Sequence, residues 1–153
     1  MSKNENMEMV QGIVENLEMY ASGDYFLHNG ELFPIDIWDF SSKVDCEIRK
    51  EDTLCGEYTY YIMPDGEEIL EDDVEPASLF DYFNDMLDID YVVDREKQFK
   101  GARIMVTCGG PNIFIDSYRG IVELFWWTEH ASAEIPADLC DEINDIFRDY
   151  YYC

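Results

Sequence analysis

The sequence predicts an α+β fold: an N-terminal helix, then two antiparallel β sections, each followed by an acidic amphipathic helix. Three observations carry that expectation. Apolar residues recur at helical spacing in segments near both ends and in the middle of the chain. Between them lie short alternating runs punctuated by Asn29-Gly30, Pro64-Asp65-Gly66 and Gly109-Gly110-Pro111, the residue types that turn strands. The chain of 153 residues is also 47% hydrophobic and 15% aromatic. An acidic disordered chain would be poor in aromatics, so a folded single domain over residues 1–153 is expected.

The first helix runs from about Glu5 to Ser22. Met7, Val10, Ile13, Val14, Leu17, Tyr20 and Ala21 share its apolar stripe, and Gly23 stops it. "YFLHNGELFPI" then reads as a hairpin around Asn29-Gly30. "VDCEIRK" places Val44, Cys46 and Ile48 on one face of a strand, and "EYTYYIM" is a second β-rich run that ends at "PDG". Pro76 opens a helix to about Leu87, since a proline loses nothing in the first turn. Its core face is Leu79, Phe80, Phe83, Met86 and Leu87. Asp81, Asp85 and Asp88 fall within about 60° of one another on the opposite face.

The second β section is "ARIMVTC", "NIFID" and "GIVELFWW", with turns at "GGP" and "SYRG". In "VELFWW", Leu124 and Trp126 share one face, Phe125 and Trp127 the other. Such a strand is covered on both sides or forms an interface, which makes a homodimer one expectation. The last helix runs from Pro136 to about Tyr150 and carries Asp138, Asp141, Asp145 and Asp149. The two helical segments (76–88 and 136–150) are alike: "PASLFDYFNDML" and "PADLCDEINDIF" match at six positions. Either a ββα unit is duplicated or two helices share one capping logic.

Charge is the most informative feature. There are 35 acidic and 10 basic residues, a formal charge of −25. From Glu51 to Asp94 the sequence holds 15 acids and no base. Solubility needs a net charge of only about 2–8 in a small domain. Such a charge disfavours anionic membranes and nucleic acid as direct ligands and favours a basic partner. Fifteen charges correspond to roughly 25 Å of duplex DNA at one charge per ~1.7 Å. Tyr58, Tyr60, Tyr61, Tyr82 and Tyr91 lie among the acids, and their rings suit stacking against arginine. The expected partner-binding residues are Asp65, Glu67, Glu68, Glu71, Asp72, Asp73, Glu75, Asp81, Asp85, Asp88 and Asp90.

Other chemistries find little support. "DGEEILEDDVEP" has its glycine at the second position and lacks the ligand ladder of a calcium loop. Asp85, Asp88, Asp90 and Asp94 suit magnesium only if a helix ends between them. No acid lies two residues before Lys97 or Lys100, as many metal-dependent nucleases require. His28 reads as a turn residue and His130 as a strand-end residue. Cys108 reads as a core thiol, and Gly109-Gly110-Pro111 lacks the spacing of a phosphate loop. The expectation is a protein without catalytic residues, metal or cofactor. Five cysteines without a CxxC pair fit reduced, mostly buried thiols in the cytoplasm. "MSKNENMEMVQ" has no apolar signal core and no run suggests a membrane span.

Size, charge and the aspartate stripes at Glu51–Asp94 and Asp138–Asp149 give this chain a class-level resemblance. It resembles the acidic nucleic-acid mimics of phages and mobile elements, the anti-restriction and anti-CRISPR inhibitors. That resemblance implies a non-catalytic inhibitor occupying the basic nucleic-acid-binding surface of a host defence nuclease. The chain is similar also to bacterial immunity proteins, which cap a basic nuclease toxin. A third expectation is an acidic housekeeping interaction module without mimicry.

Overall fold

The computed structural model describes residues 3–84, 86, 88–107 and 109–153. In chain order its elements are α1 (Lys3–Ser22), β1 (Tyr25–His28), β2 (Glu31–Pro34), α2 (Ile37–Ser41), β3 (Glu47–Thr53), β4 (Gly56–Ile62), β5 (Glu68–Leu70), a 3-10 turn (Glu71–Asp73), α3 (Leu79–Phe83), β6 (Asp88–Val93), β7 (Phe99–Thr107), β8 (Asn112–Asp116), β9 (Ile121–Trp126), β10 (Glu129–Glu134) and α4 (Ala137–Tyr151). All strand pairs are antiparallel. The fold is therefore α+β. The residues gather into two units, 22–78 and 1–21 with 79–153.

In residues 22–78, β1 and β2 form a hairpin. Its turn residues Asn29 and Gly30 have φ of 51° and 80°. A two-residue turn of this hand needs positive φ at both places, which asparagine and glycine tolerate best. Asp36 caps α2 by accepting hydrogen bonds from the Trp38 and Asp39 amides at 3.0 and 3.1 Å. Strands β3, β4 and β5 form a three-stranded meander. The core is small and aromatic: Phe26, Phe33, Phe40 and Tyr61 stack with centroids 4.8–6.0 Å apart. Cys46 and Met63 complete it. The buried Tyr61 hydroxyl donates to the Ile35 carbonyl at 2.6 Å, which satisfies a polar atom that would otherwise be costly there.

The other unit is a five-stranded meander ordered β10-β9-β8-β7-β6. Ala102, Ile104, Ile113, Ile115, Val122 and Leu124 are buried on one face, in a cluster with Val10, Val14 and Leu17 of α1. Leu79 and Phe83 of α3 and Leu139, Ile143 and Phe147 of α4 join the same cluster. The 117–120 turn folds back on β7: the Ser117 amide donates to the Ala102 carbonyl at 2.9 Å, and the Ala102 amide to Ser117 Oγ at 2.9 Å.

Several expectations change. The segment from Pro76 is helical only over Leu79–Phe83. Upstream, the Ala77 amide donates to the Tyr25 carbonyl at 2.7 Å, which ties residues before the helix to β1. Downstream, "DIDYVV" becomes strand β6, because its alternation puts Ile89 and Tyr91 inward and Asp88 and Asp90 outward. The three-aspartate stripe therefore does not form along one helix: Asp81 is on α3 and Asp88 on β6, while Asp85 and Leu87 lie outside the described residues. The helix that resembles the 15-residue α4 in sequence is five residues long. Phe80, expected in the core, is exposed, as is Val44, which precedes β3. Trp127 lies in the turn after β9 with φ 55° and 89% exposure, so it does not share a strand face with Phe125. Cys46 and Cys140 are buried, but Cys55 and Cys153 are exposed. Cys108 lies outside the described residues. Among the described residues, no helix is long and apolar enough to cross a membrane.

Candidate functional site

Residues 22–78 contain sixteen acidic and three basic side chains, and all sixteen acids are exposed. The strand register explains how the sheet displays part of them. On β3, Ile48 faces the aromatic core, so Glu47, Arg49 and Glu51 face away from it. Tyr58, Tyr60 and Ile62 of β4 lie opposite them, and Glu68 and Leu70 of β5 opposite Ile62 and Tyr60. This outer face is a mixed layer of tyrosine and carboxylate.

Arg49 sits at the centre of that layer. Its guanidinium carbon is 4.4 Å from the Tyr60 ring centroid. Its terminal nitrogens donate to Glu68 at 2.7 Å and Glu51 at 3.2 Å. The stretch without bases in sequence is thus partly neutralised in space by a residue just before it. The arrangement also shows what the face does chemically: a ring takes the flat of a guanidinium while two carboxylates take its edges. Tyr61, by contrast, belongs to the core, whereas Tyr58 and Tyr60 are both half-buried.

Six further acids of this unit occupy its β4–β5 turn and its exit. Asp65 and Glu67 are in the turn. Asp65 Oδ1 accepts from the Glu67 amide at 2.9 Å. Asp65 Oδ2 accepts from Asn29 Nδ2 at 2.9 Å and lies 3.0 Å from His28 Nε2. The Glu67 amide, more than His28, holds the Asp65 carboxyl below the usual carboxylate range. Glu71, Asp72 and Asp73 form the 3-10 turn, three successive exposed carboxylates, and exposed Glu75 follows.

The other unit carries its acids separately. Asp81 is exposed on α3, while Asp88 and Asp90 are exposed on the outer side of edge strand β6. Charges there discourage pairing with another strand. On α4, Asp138, Asp141, Asp145 and Asp149 are all exposed, within about 80° of one another around the helix. Seven of the expected partner-binding residues, Asp65 to Glu75, thus belong to residues 22–78. Asp81, Asp88 and Asp90 belong to the other unit, and Asp85 is outside the described residues.

Sequence reasoning missed two clusters. Glu123 is 3% exposed on β9. It is held by Arg119 Nη1 at 2.6 Å and His130 Nε2 at 3.1 Å. Its place in the apolar run "IVELFWW" was the available signal, because a buried carboxylate demands partners. The second is His28 with Asp65 and Glu67, which lie 37 and 39 residues further along the chain and meet it only because two turns converge.

Fold and surface together define an acidic α+β protein whose three-stranded sheet presents tyrosines and carboxylates around one arginine. No family model, curated protein or solved structure matches this chain.

Proposed function

We propose that this protein is a non-catalytic acidic inhibitor that binds the basic nucleic-acid-binding surface of another protein, a host defence nuclease of the kind that anti-restriction and anti-CRISPR proteins block. The observation that carries the proposal is the exposure of all sixteen acidic side chains in residues 22–78 against three bases. Ten of them lie between Glu51 and Glu75. At duplex charge density ten charges correspond to roughly 17 Å of DNA, a length that one small unit can display.

The physics of association follows from the charge. A dense negative field steers a basic partner and raises the on-rate, and salt weakens that steering. Residence time comes from contacts that exclude water. The Tyr58–Tyr60 layer and the exposed Trp38 supply aromatic surface for such contacts in this unit. The Arg49 pocket is the pattern for how a partner's arginine would be held.

The test uses the full chain, immobilised in low salt, to capture proteins from a host extract, followed by elution in a salt gradient. The expected outcome is a nuclease that elutes with salt, is inhibited by the free chain, and is released by added duplex DNA. Replacing Glu71, Asp72 and Asp73 by Gln, Asn and Asn should weaken that complex by about tenfold at low salt, near 1.4 kcal/mol. Captured proteins that do not bind nucleic acid, or a complex indifferent to DNA, would sink the proposal.

A further inference from the structure

We infer that His28, Asp65 and Glu67 form a binding site for a first-row divalent transition cation such as zinc. This inference does not rest on the inhibitor reading: it joins His28 to two of the acids of residues 22–78 and concerns a different ligand.

The local geometry brings the three side chains together. His28 is the last residue of β1, beside the Asn29-Gly30 turn. Asp65 and Glu67 belong to the turn between β4 and β5, closed by the Gly66 amide on the Met63 carbonyl at 2.9 Å and the Met63 amide on the Glu67 carbonyl at 2.8 Å. One donor atom from each side chain lies within 4.8 Å of the other two. His28 Nε2 is 3.0 Å from Asp65 Oδ2 and 3.3 Å from Glu67 Oε2. Donor atoms that share a metal ion at about 2.0–2.2 Å lie about 3.0–3.5 Å apart at neighbouring coordination positions. Both distances fall in that interval, and the more exposed Glu67 side chain has the freedom to close the third edge.

Hydrogen bonding alone leaves the cluster over-subscribed. Asn29 Nδ2 lies 3.3 Å from the same His28 Nε2. One ring nitrogen carries either one proton or one lone pair, yet it faces two carboxylate oxygens and an amide nitrogen. A cation resolves this by taking the lone pair and both anions at once. Two carboxylates neutralise a divalent ion, and the surrounding acids raise its local concentration. The imidazole selects the class: calcium and magnesium prefer all-oxygen shells, whereas zinc and its neighbours take nitrogen with oxygen. His28 is largely buried, with 12% of its side chain exposed, so its ring is held in place. Asp65 and Glu67 are open to solvent, which leaves the other coordination positions to water. Asn29 Nδ2, bonded to Asp65 Oδ2, orients a ligand from outside the site. The bound ion would link the β1–β2 and β4–β5 turns.

The probes are zinc and cobalt(II), added to metal-stripped full-length protein with Cys55 and Cys153 replaced by serine. Titration calorimetry is run in excess magnesium, which occupies the diffuse acidic field. The expected result is one saturable zinc site per chain, a rise in melting temperature on loading, and a visible cobalt absorption displaced by zinc. Outer-shell substitutions at metal sites cost about 10–100-fold in affinity. Asn29→Gly, which keeps the turn conformation, should fall in that range, and His28→Ala or Asp65→Asn should lose about 100-fold or more. Asp52→Asn with Glu57→Gln removes two charges elsewhere in the same unit and should change affinity less than threefold. Circular dichroism establishes that each variant folds. Unchanged binding in His28→Ala, an equal loss in the Asp52/Glu57 control, or no saturable zinc binding in magnesium would each overturn the inference and leave an imidazole–carboxylate contact only.

Discussion

Tyr82 shows how much a single side chain depends on where the fold puts it. In sequence it reads as one tyrosine among acids, available to a partner. In the fold it packs edge-on against Tyr20 with centroids 5.2 Å apart and against Phe83 at 5.2 Å. Burial, with a smaller contribution from Tyr20, pushes its hydroxyl up to about 12. An unfolded tyrosine ionises near 10, so the fold favours the neutral phenol. The stabilisation is present in full below about pH 10 and is lost as pH rises through about 12. Tyr82→Phe keeps the ring and removes the proton. Its stability, measured by urea unfolding at pH 8 and pH 11, should fall less between the two than that of the parent protein. Parallel losses would mean that Tyr82 ionises as it would in water. Asp65 is the acidic counterpart: its lowered carboxyl contributes stability that is lost as pH falls below the ordinary carboxylate range.

Elements were legible where local pattern and tertiary demand agree. "NIFID" is β8 residue for residue, α4 begins one residue after Pro136, and Asn29-Gly30 turns the first hairpin. Where they disagree, the period-2 alternation of Asp88–Val93 prevails over the helical spacing seen upstream, because the five-stranded sheet buries Ile89 and Tyr91 against the core. The acidic character of residues 65–75 was readable from composition. Arg49 over Tyr60 and the His28 cluster were not, because cross-strand register and converging turns set them. Gly101 on β7 is another contact invisible in sequence. A Cβ there would lie 2.5 Å from Tyr118 Cβ and 2.8 Å from its Cα. The neighbour is turn backbone, anchored by Ser117 to Ala102 on both sides, so it has little room to yield. Gly101→Ala should therefore destabilise the protein by about 1–3 kcal/mol, the usual range for overpacking. Thermal and urea unfolding measure this, and a loss below about 0.5 kcal/mol would show that the turn lifts freely from the strand.

For the whole molecule, the question is why a fold tolerates a formal charge of −25. Two like charges about 10 Å apart in water repel by about 0.4 kcal/mol. Ten such pairs amount to about 4 kcal/mol, a large part of the roughly 5–15 kcal/mol that holds a domain together. Local pairing relieves little of this: among the described residues, the bridges of Arg49, Arg119 and Arg148 engage Glu51, Glu68, Asp116, Glu123 and Asp145, five carboxylates out of 35 acids. Salt should therefore stabilise the fold. Raising sodium chloride from 10 mM to 0.5 M shortens the screening length to a few ångströms and should raise the melting temperature by on the order of 10 °C. A flat melting temperature would mean that the acids are spaced widely enough not to feel one another. The same salt should weaken capture of a basic partner. These opposite responses would separate the burden of the charge on folding, which salt relieves, from the proposed binding field, which salt erases. A sequence selected only for stability at ordinary ionic strength would shed such acids or pair them. Their retention, exposed throughout residues 22–78, is the reason to look for a positively charged partner.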